Sequence, residues 1–149
     1  MLMAIGLLLV VSAALGGRSY GLASFAVFVV VAPCWLGALA LRLDLTVATA
    51  RGTVDTAWYG AMGKWSGSLW AIFMVGGHTA VALLGASFIG DPRVPAWTAW
   101  TTCVLGTVEA VSFWTGWPRV KSLGMRSMFE LPVLIPLVPL IVAVPPAFA

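Results

Sequence analysis

The stretch SGSLWAIFMVGGHTAVALLGASFI, residues 66–89, decides the fold class of this protein. It contains no Asp, Glu, Lys or Arg. It is also long enough to cross a bilayer, because a spanning helix needs about 20 apolar residues. Of the 149 residues in the chain, 61% are hydrophobic and only 9% are charged. This composition is typical of a multi-pass integral membrane protein and leaves no room for a separate soluble domain.

Four more apolar runs lie around this stretch, and each predicts a membrane helix. They are residues 2–20, 21–41, 95–117 and 128–148. The first run is short for a span, so a bundle of four helices is the alternative to one of five. Pro33 in the second run, and several prolines in the last, predict kinks. We therefore predict an all-α bundle of about five transmembrane helices that forms one membrane domain over residues 1–149.

The segment between the second and third spans predicts a helix of a different kind. Residues 54–65 are too polar to span, but their apolar side chains recur at helical spacing. These are Val54, Ala57, Trp58, Ala61, Met62 and Trp65. The pattern indicates an amphipathic helix that lies in the membrane interface on the cytoplasmic side.

The distribution of basic residues predicts the orientation, because Lys and Arg are retained in cytoplasmic loops. With five spans, most of the basic residues fall on one side: Arg42, Arg51, Lys64, Arg119, Lys121 and Arg126. Arg18 and Arg93 fall on the other side. We therefore expect the loops 42–65 and 118–127 to be cytoplasmic and the C-terminus to be outside. The Ala-, Gly- and Arg-rich, Lys-poor composition favours a bacterial inner membrane.

The third and fourth predicted spans each carry one ionisable residue well inside the apolar run, where burial of charge is unfavourable and usually functional. Counted from the cytoplasmic ends of the third and fourth spans, His78 lies about 18 Å deep and Glu109 about 12 Å deep. This offset is about one helical turn, and Gly77 and Gly106 allow the backbones to approach closely. If the two helix faces point at each other, His78 and Glu109 would meet directly or through one water. We interpret them as a candidate pair that does acid–base chemistry on a hydrophobic substrate, binds that substrate, or relays protons.

Each of these residues also has a purely structural interpretation. His78 would then bond only a backbone carbonyl or a threonine, and Glu109 would be protonated or reach the headgroups. Glu130, at the predicted start of the last span, is a third candidate catalytic group. Its simpler role is to complement the helix dipole, with Arg126 or Lys121 as its partner.

Three tryptophans that lie within or at the ends of the spans are candidate substrate-binding residues: Trp70, Trp100 and Trp114. Their ring faces would stabilise a cationic ligand or intermediate in a cavity. Together with a proton donor, such a cavity would suit an isomerase or a cyclase that acts on an isoprenoid- or sterol-like molecule. The alternative is interfacial anchoring, the usual role of tryptophan in membrane proteins.

The sequence offers no pattern for a metal ion or another cofactor. It has one histidine, and Cys34 and Cys103 lie far apart in different apolar runs, so neither a zinc site nor a haem site is predicted. The scattered basic residues exclude nucleic acid as a partner. The expected partners are the lipid bilayer, a hydrophobic small molecule and other subunits of a homo- or hetero-oligomer. A non-catalytic subunit of a larger membrane complex is the alternative to an enzyme, with the charge pair fixing helix register.

Overall fold

A computed structural model describes residues 19–53, 55–115, 137–140 and 142, and within these ranges the fold is all-α without strands. Three long helices follow one another along the chain: α1 (Ser19–Ala50), α2 (Thr56–Phe88) and α3 (Ala96–Trp114). Residues 138–140 and 142 are also helical. Nearly all of the predicted first span (2–20), the basic loop 118–127, Glu130 and most of the last span (128–148) lie outside the described residues.

Helix α1 continues well past residue 41, where hydropathy alone predicts its end. Two threonines in the added part donate their hydroxyl hydrogens to carbonyls one turn back: Thr46 to Arg42 and Thr49 to Leu45. Polar side chains that bond in this way fit within a helix. The chain turns away at Gly52, whose φ of 66° is the left-handed conformation that glycine favours.

Helix α2 joins two segments that the sequence predicts as separate elements. Asp55 caps its N-terminus, with the carboxylate accepting a hydrogen bond from the Ala57 amide at 3.0 Å. From there one continuous helix runs to Phe88, so residues 56–65 extend the helix that carries His78. No proline separates the two segments, so the helical backbone bonds continue from one into the other.

A tight turn joins α2 to α3, as the Gly90-Asp91-Pro92-Arg93 sequence predicts. The carboxylate of Asp91 accepts hydrogen bonds from the Arg93 amide at 3.0 Å and from the Arg93 guanidinium at 2.9 and 3.1 Å. The guanidinium hydrogen bonds to Asp91, together with the charge of its carboxylate, raise the pKa of Arg93. Gly90 has a φ of 81°, which favours glycine at this position. The turn makes α2 and α3 antiparallel neighbours.

Helices α1 and α2 form an antiparallel hairpin. Ser24 donates a buried hydrogen bond to the Ala80 carbonyl at 2.6 Å, and Ser66 donates one to the Ala38 carbonyl at 3.2 Å. Between these two bonds the interface is apolar and aromatic, with Phe73 at its centre. Leu137 packs against this cluster and also against a second one that Phe88, Val94, Ala99 and Leu140 help to form.

Two of the described helices, Ser19–Ala50 and Ala57–Phe88, are long and apolar enough to cross a membrane. At about 1.5 Å per residue, each is about 50 Å long and exceeds the hydrocarbon thickness of about 30 Å. Helix α3, which corresponds to the predicted span 95–117, is shorter and less apolar because it carries Glu109 and several threonines and tryptophans.

Candidate functional site

The candidate site lies where α2 and α3 approach most closely. A Cβ atom on Gly106 would lie 2.7 Å from the Ala82 nitrogen, and one on Gly85 would lie 2.5 Å from the Cys103 nitrogen. Only a hydrogen fits at these two positions, so the two backbones are in direct contact. This close packing brings side chains of ordinary length on the two helices within reach of each other.

His78 lies within this interface with none of its surface exposed. Its Nδ1 atom is 2.6 Å from the carbonyl oxygen of Met74, one turn earlier on α2. A carbonyl oxygen only accepts hydrogen bonds, so Nδ1 carries a hydrogen and donates it. This bond fixes the ring orientation and turns Nε2 towards α3.

The other ring nitrogen of His78 meets Glu109, as the depths of the two residues predict. Nε2 lies 2.6 Å from Glu109 Oε2. Two lone pairs at this distance would repel, so a proton lies between these atoms. The pair is therefore either an imidazolium with a carboxylate or a neutral imidazole with a carboxylic acid. Within the described part of the chain, Oε2 has no other hydrogen-bond partner.

The two members of the pair differ in their access to the surroundings. The Glu109 side chain is 26% exposed, whereas the His78 side chain is completely buried. The Oε2 atom itself is buried against His78, so a ligand would reach the exposed part of the Glu109 side chain before the imidazole. The arrangement holds one shared proton between Oε2 and Nε2, with the partly exposed Glu109 on one side and the enclosed imidazole on the other.

Two aromatic rings complete the surroundings of His78. Phe113 stacks on the imidazole with ring centroids 5.3 Å apart and an interplanar angle of 17°. Trp70 meets Phe113 edge to face at 5.6 Å. The sequence predicts a role for Trp70 but gives no such prediction for Phe113. The signal for Phe113 is its spacing, because it follows Glu109 by one helical turn and therefore lies on the same side of α3.

The other two candidate tryptophans lie elsewhere. Trp100 is 55% exposed and Trp114 is 79% exposed. At about 100° per residue, Trp100 points about 180° away from Glu109 around α3, and Trp114 about 140° away. Of the three tryptophans, the structure brings only Trp70 into the surroundings of the pair. The third candidate acid, Glu130, lies outside the described residues.

A buried hydroxyl group lies on the same face of α3 as Glu109. Thr102 precedes Glu109 by two helical turns and has none of its surface exposed. In the described ranges its hydroxyl oxygen has no hydrogen-bond partner. The same ranges contain no group of three or more His, Cys, Asp and Glu residues that is arranged to hold a metal ion.

Comparisons with protein-family models, with curated proteins and with solved structures found no match to this chain.

Proposed function

We propose that this protein is a multi-pass membrane protein in which Glu109 and His78 carry out acid–base chemistry on a hydrophobic substrate. The observation that carries the proposal is the 2.6 Å contact between His78 Nε2 and Glu109 Oε2, with one partner enclosed and the other accessible. General acid–base catalysis requires a group that can both give and accept a proton within reach of the substrate. We assign this role to Glu109, whose side chain is 26% exposed, with His78 as the partner that shares the proton on its buried Oε2 atom.

The outer surfaces of the helices support placement in a membrane. Large apolar side chains are exposed on all three helices, among them Leu22, Val30 and Leu36 on α1, Ile72 on α2, and Val104, Val108 and Val111 on α3. Apolar patches of this extent are unfavourable in water and favourable against lipid. Trp97 and Trp114 are exposed near the two ends of α3, about 25 Å apart along its axis. This separation is close to the thickness of the hydrocarbon layer.

The depth of the pair supports a substrate that enters from the lipid. His78 is ten residues from Phe88, or about 15 Å, and Glu109 is thirteen residues from Ala96, or about 20 Å. With the turn at residues 89–95 on one membrane surface, both residues lie near the middle of a layer about 30 Å thick. A substrate that reaches Glu109 at this depth is itself hydrophobic, such as an isoprenoid- or sterol-like olefin.

The reaction class that fits one shared proton is double-bond isomerisation. The carboxylic acid of Glu109 gives its proton to one olefinic carbon, which leaves a carbocation. The carbon on the other side of the cationic centre then loses a proton to the His78–Glu109 pair, which forms the shifted double bond. The pair thereby recovers the proton that it gave up. Phe113 and Trp70 supply aromatic rings near the developing positive charge.

Deuterium exchange tests this proposal across a whole class of substrates at once. The protein in lipid nanodiscs is incubated in D₂O with a panel of isoprenoid and sterol olefins, and carbon-bound deuterium is measured by mass spectrometry. We expect incorporation with the unmodified protein and a 100- to 10,000-fold lower rate with Glu109→Gln, about the contribution of a general acid. Asp44→Asn, which neutralises an exposed carboxylate on α1, is the matched control and should exchange normally. Equal exchange by Glu109→Gln would overturn the assignment.

The orientation is tested by cysteine labelling in intact cells. We propose that the α1–α2 end is cytoplasmic and the Gly90–Arg93 turn is outside. In a background in which Cys34 and Cys103 are replaced, a membrane-impermeant thiol reagent should label Pro92→Cys in intact cells. Thr53→Cys should be labelled only after lysis. The reverse labelling pattern would show that the orientation inferred from the basic residues is wrong.

The alternative function is a non-catalytic subunit of a membrane complex, in which the pair only fixes the register of α2 and α3. The observation that favours it is that both nitrogens of the His78 ring already have partners within the helix pair. Under this alternative the olefin panel would show no exchange, and Glu109→Gln would alter assembly with partner proteins on native gels.

A further inference from the structure

A second candidate site lies far from His78, at the end of the α1–α2 hairpin. A groove of about 570 Å³ opens there between the last turns of α1 and the first turns of α2. Binding sites for small molecules typically have volumes of about 300–1,000 Å³. The groove shares no lining residue with the acid–base pair, so it requires an explanation of its own.

The polar groups in the groove divide into donors and acceptors. Arg42 and Tyr59 line it and supply N–H and O–H donors. Thr46 and Thr49 also line it, but their hydroxyl hydrogens are donated to the carbonyls of Arg42 and Leu45. Their oxygens therefore offer lone pairs to a ligand. Among the described lining residues there is one cation and no carboxylate.

This set of groups matches a ligand that combines an anion with hydroxyl groups. A phosphate accepts hydrogen bonds from a guanidinium strongly, because both groups are charged and the fork of Arg fits two oxygens. Hydroxyl groups attached beside that phosphate would donate to the oxygens of Thr46 and Thr49. A trimethylammonium headgroup offers no such donors and would place a cation beside Arg42.

The position of the groove along α2 places it at the depth of the lipid headgroups. Ser66, at the inner end of the groove, is 22 residues from Phe88, or about 33 Å along the helix. The hydrocarbon layer is about 30 Å thick, so the groove begins where headgroups begin. Trp58 and Trp65, which flank this level on α2, are 47% and 66% exposed, and tryptophan prefers the headgroup region.

We propose that this groove binds the headgroup of an anionic phospholipid that carries free hydroxyls, such as a phosphoglycerol headgroup, with Arg42 and Tyr59 on the phosphate. The inference rests on the membrane placement proposed above. It does not depend on the acid–base chemistry, because lipid retention is measured without turnover. The lipid is held on the side of the membrane where we place the basic loop.

Lipid retention measured by native mass spectrometry tests the inference. The delipidated protein in detergent is mixed with dioleoyl phosphatidylglycerol, phosphatidic acid or phosphatidylcholine, and the bound fraction is compared. We expect phosphatidylglycerol to bind about tenfold more tightly than phosphatidylcholine, the effect of one charge-assisted bond. Arg42→Gln should remove this preference. Arg51→Gln is the matched control, because it removes the same charge from the exposed end of the hairpin, outside the groove.

Each outcome of this experiment has a distinct meaning. Equal losses in Arg42→Gln and Arg51→Gln would show that only net charge matters and would overturn the site. Displacement of the bound lipid by inorganic phosphate would assign the groove to a soluble phosphate and overturn the lipid. Phosphatidic acid, which lacks headgroup hydroxyls, should bind more weakly than phosphatidylglycerol, and Thr46→Val with Thr49→Val should abolish that difference. Release of the protein from membranes by carbonate would instead overturn the membrane placement itself.

Discussion

The α1–α2 interface and the α2–α3 interface share one helix but hold it in different ways. Against α1, helix α2 packs through aromatic and aliphatic side chains, and its buried hydrogen bonds described above are single hydroxyl bonds from Ser24 and Ser66. Against α3, its backbone is in direct contact at Gly85 and Gly106, and the polar contact is the pair of ionisable groups. The first interface resembles ordinary helix packing. The second carries a pair of ionisable groups that packing alone does not require, and our functional proposal rests on this pair for that reason.

The largest difference between the two interfaces should appear when a polar partner is removed. Glu109→Leu leaves Nε2 of His78 enclosed without its partner, which should lower the free energy of unfolding by about 3 kcal/mol. This is the low end of the range for a broken buried pair, because Glu109 is 26% exposed. Reversible unfolding in mixed micelles measures the change. The double variant His78→Phe with Glu109→Leu should recover much of the loss, and a single variant as stable as the unmodified protein would contradict the pairing.

The next difference concerns which glycine substitutions can be rescued. Gly106→Ala and Gly76→Ala should each lower the free energy of unfolding by about 1–3 kcal/mol through overpacking. The added methyl on Gly76 meets the Val31 side chain, so Val31→Ala should restore stability to Gly76→Ala. The nearest atoms to a methyl on Gly106 belong to the backbone of residues 78 and 82, which no side-chain truncation removes. The same unfolding assay compares the single and double variants. Loss of rescue at Gly76 would mean that the two interfaces are equally tight.

A smaller effect should separate the aromatic contacts of the two interfaces. Phe113→Leu removes the ring stacked on His78, and we expect it to lower the free energy of unfolding by about 1 kcal/mol beyond the loss of buried area. It should also shift the NMR signals of the His78 ring, because a stacked ring contributes a local magnetic field. Phe28→Leu removes an aromatic contact with Phe73 in the other interface and is the control. A His78 spectrum that changes equally in both variants would place Phe113 outside the site.

The residues that the sequence predicts correctly are those fixed by regular geometry. The rise per residue and the antiparallel turn at Gly90–Arg93 predict that His78 and Glu109 lie within about one helical turn of the same depth, and the structure shows that their side chains are in contact. The turn itself follows from Gly90, Asp91 and Pro92, whose conformational preferences are local. The all-α class follows from the length and composition of the apolar runs, and two of the described helices are apolar enough to span a membrane.

The features that the sequence does not predict depend on where helices end and on the direction of side chains around a helix, which hydropathy does not report. Helix α1 ends near Gly52 and helix α2 begins after Asp55, rather than at the first charged residue. A helix continues from an apolar into a polar segment as long as its backbone hydrogen bonds continue. The three tryptophans share their chemistry, whereas the direction around α3 separates Trp100 and Trp114 from Glu109. The sequence does not predict a role for Phe113, because a phenylalanine in an apolar run has no ionisable or polar group that distinguishes it from its neighbours.

The smallest expected effect tests whether the hydroxyl bonds of the α1–α2 interface contribute only to packing. Ser24→Ala removes a 2.6 Å bond to the Ala80 carbonyl, and interhelical hydrogen bonds in membranes contribute only about 0.6 kcal/mol on average. The Ala80 carbonyl keeps its own helical bond, so no buried group is left without a partner. Ser66→Ala removes a longer bond of 3.2 Å and should change the free energy of unfolding even less. Both variants should therefore unfold almost as the unmodified protein does, with deuterium exchange into olefins unchanged. A loss in Ser24→Ala as large as that in Glu109→Leu would mean that the polar contacts of the two interfaces are equivalent, and the reason for assigning function to only one of them would fail.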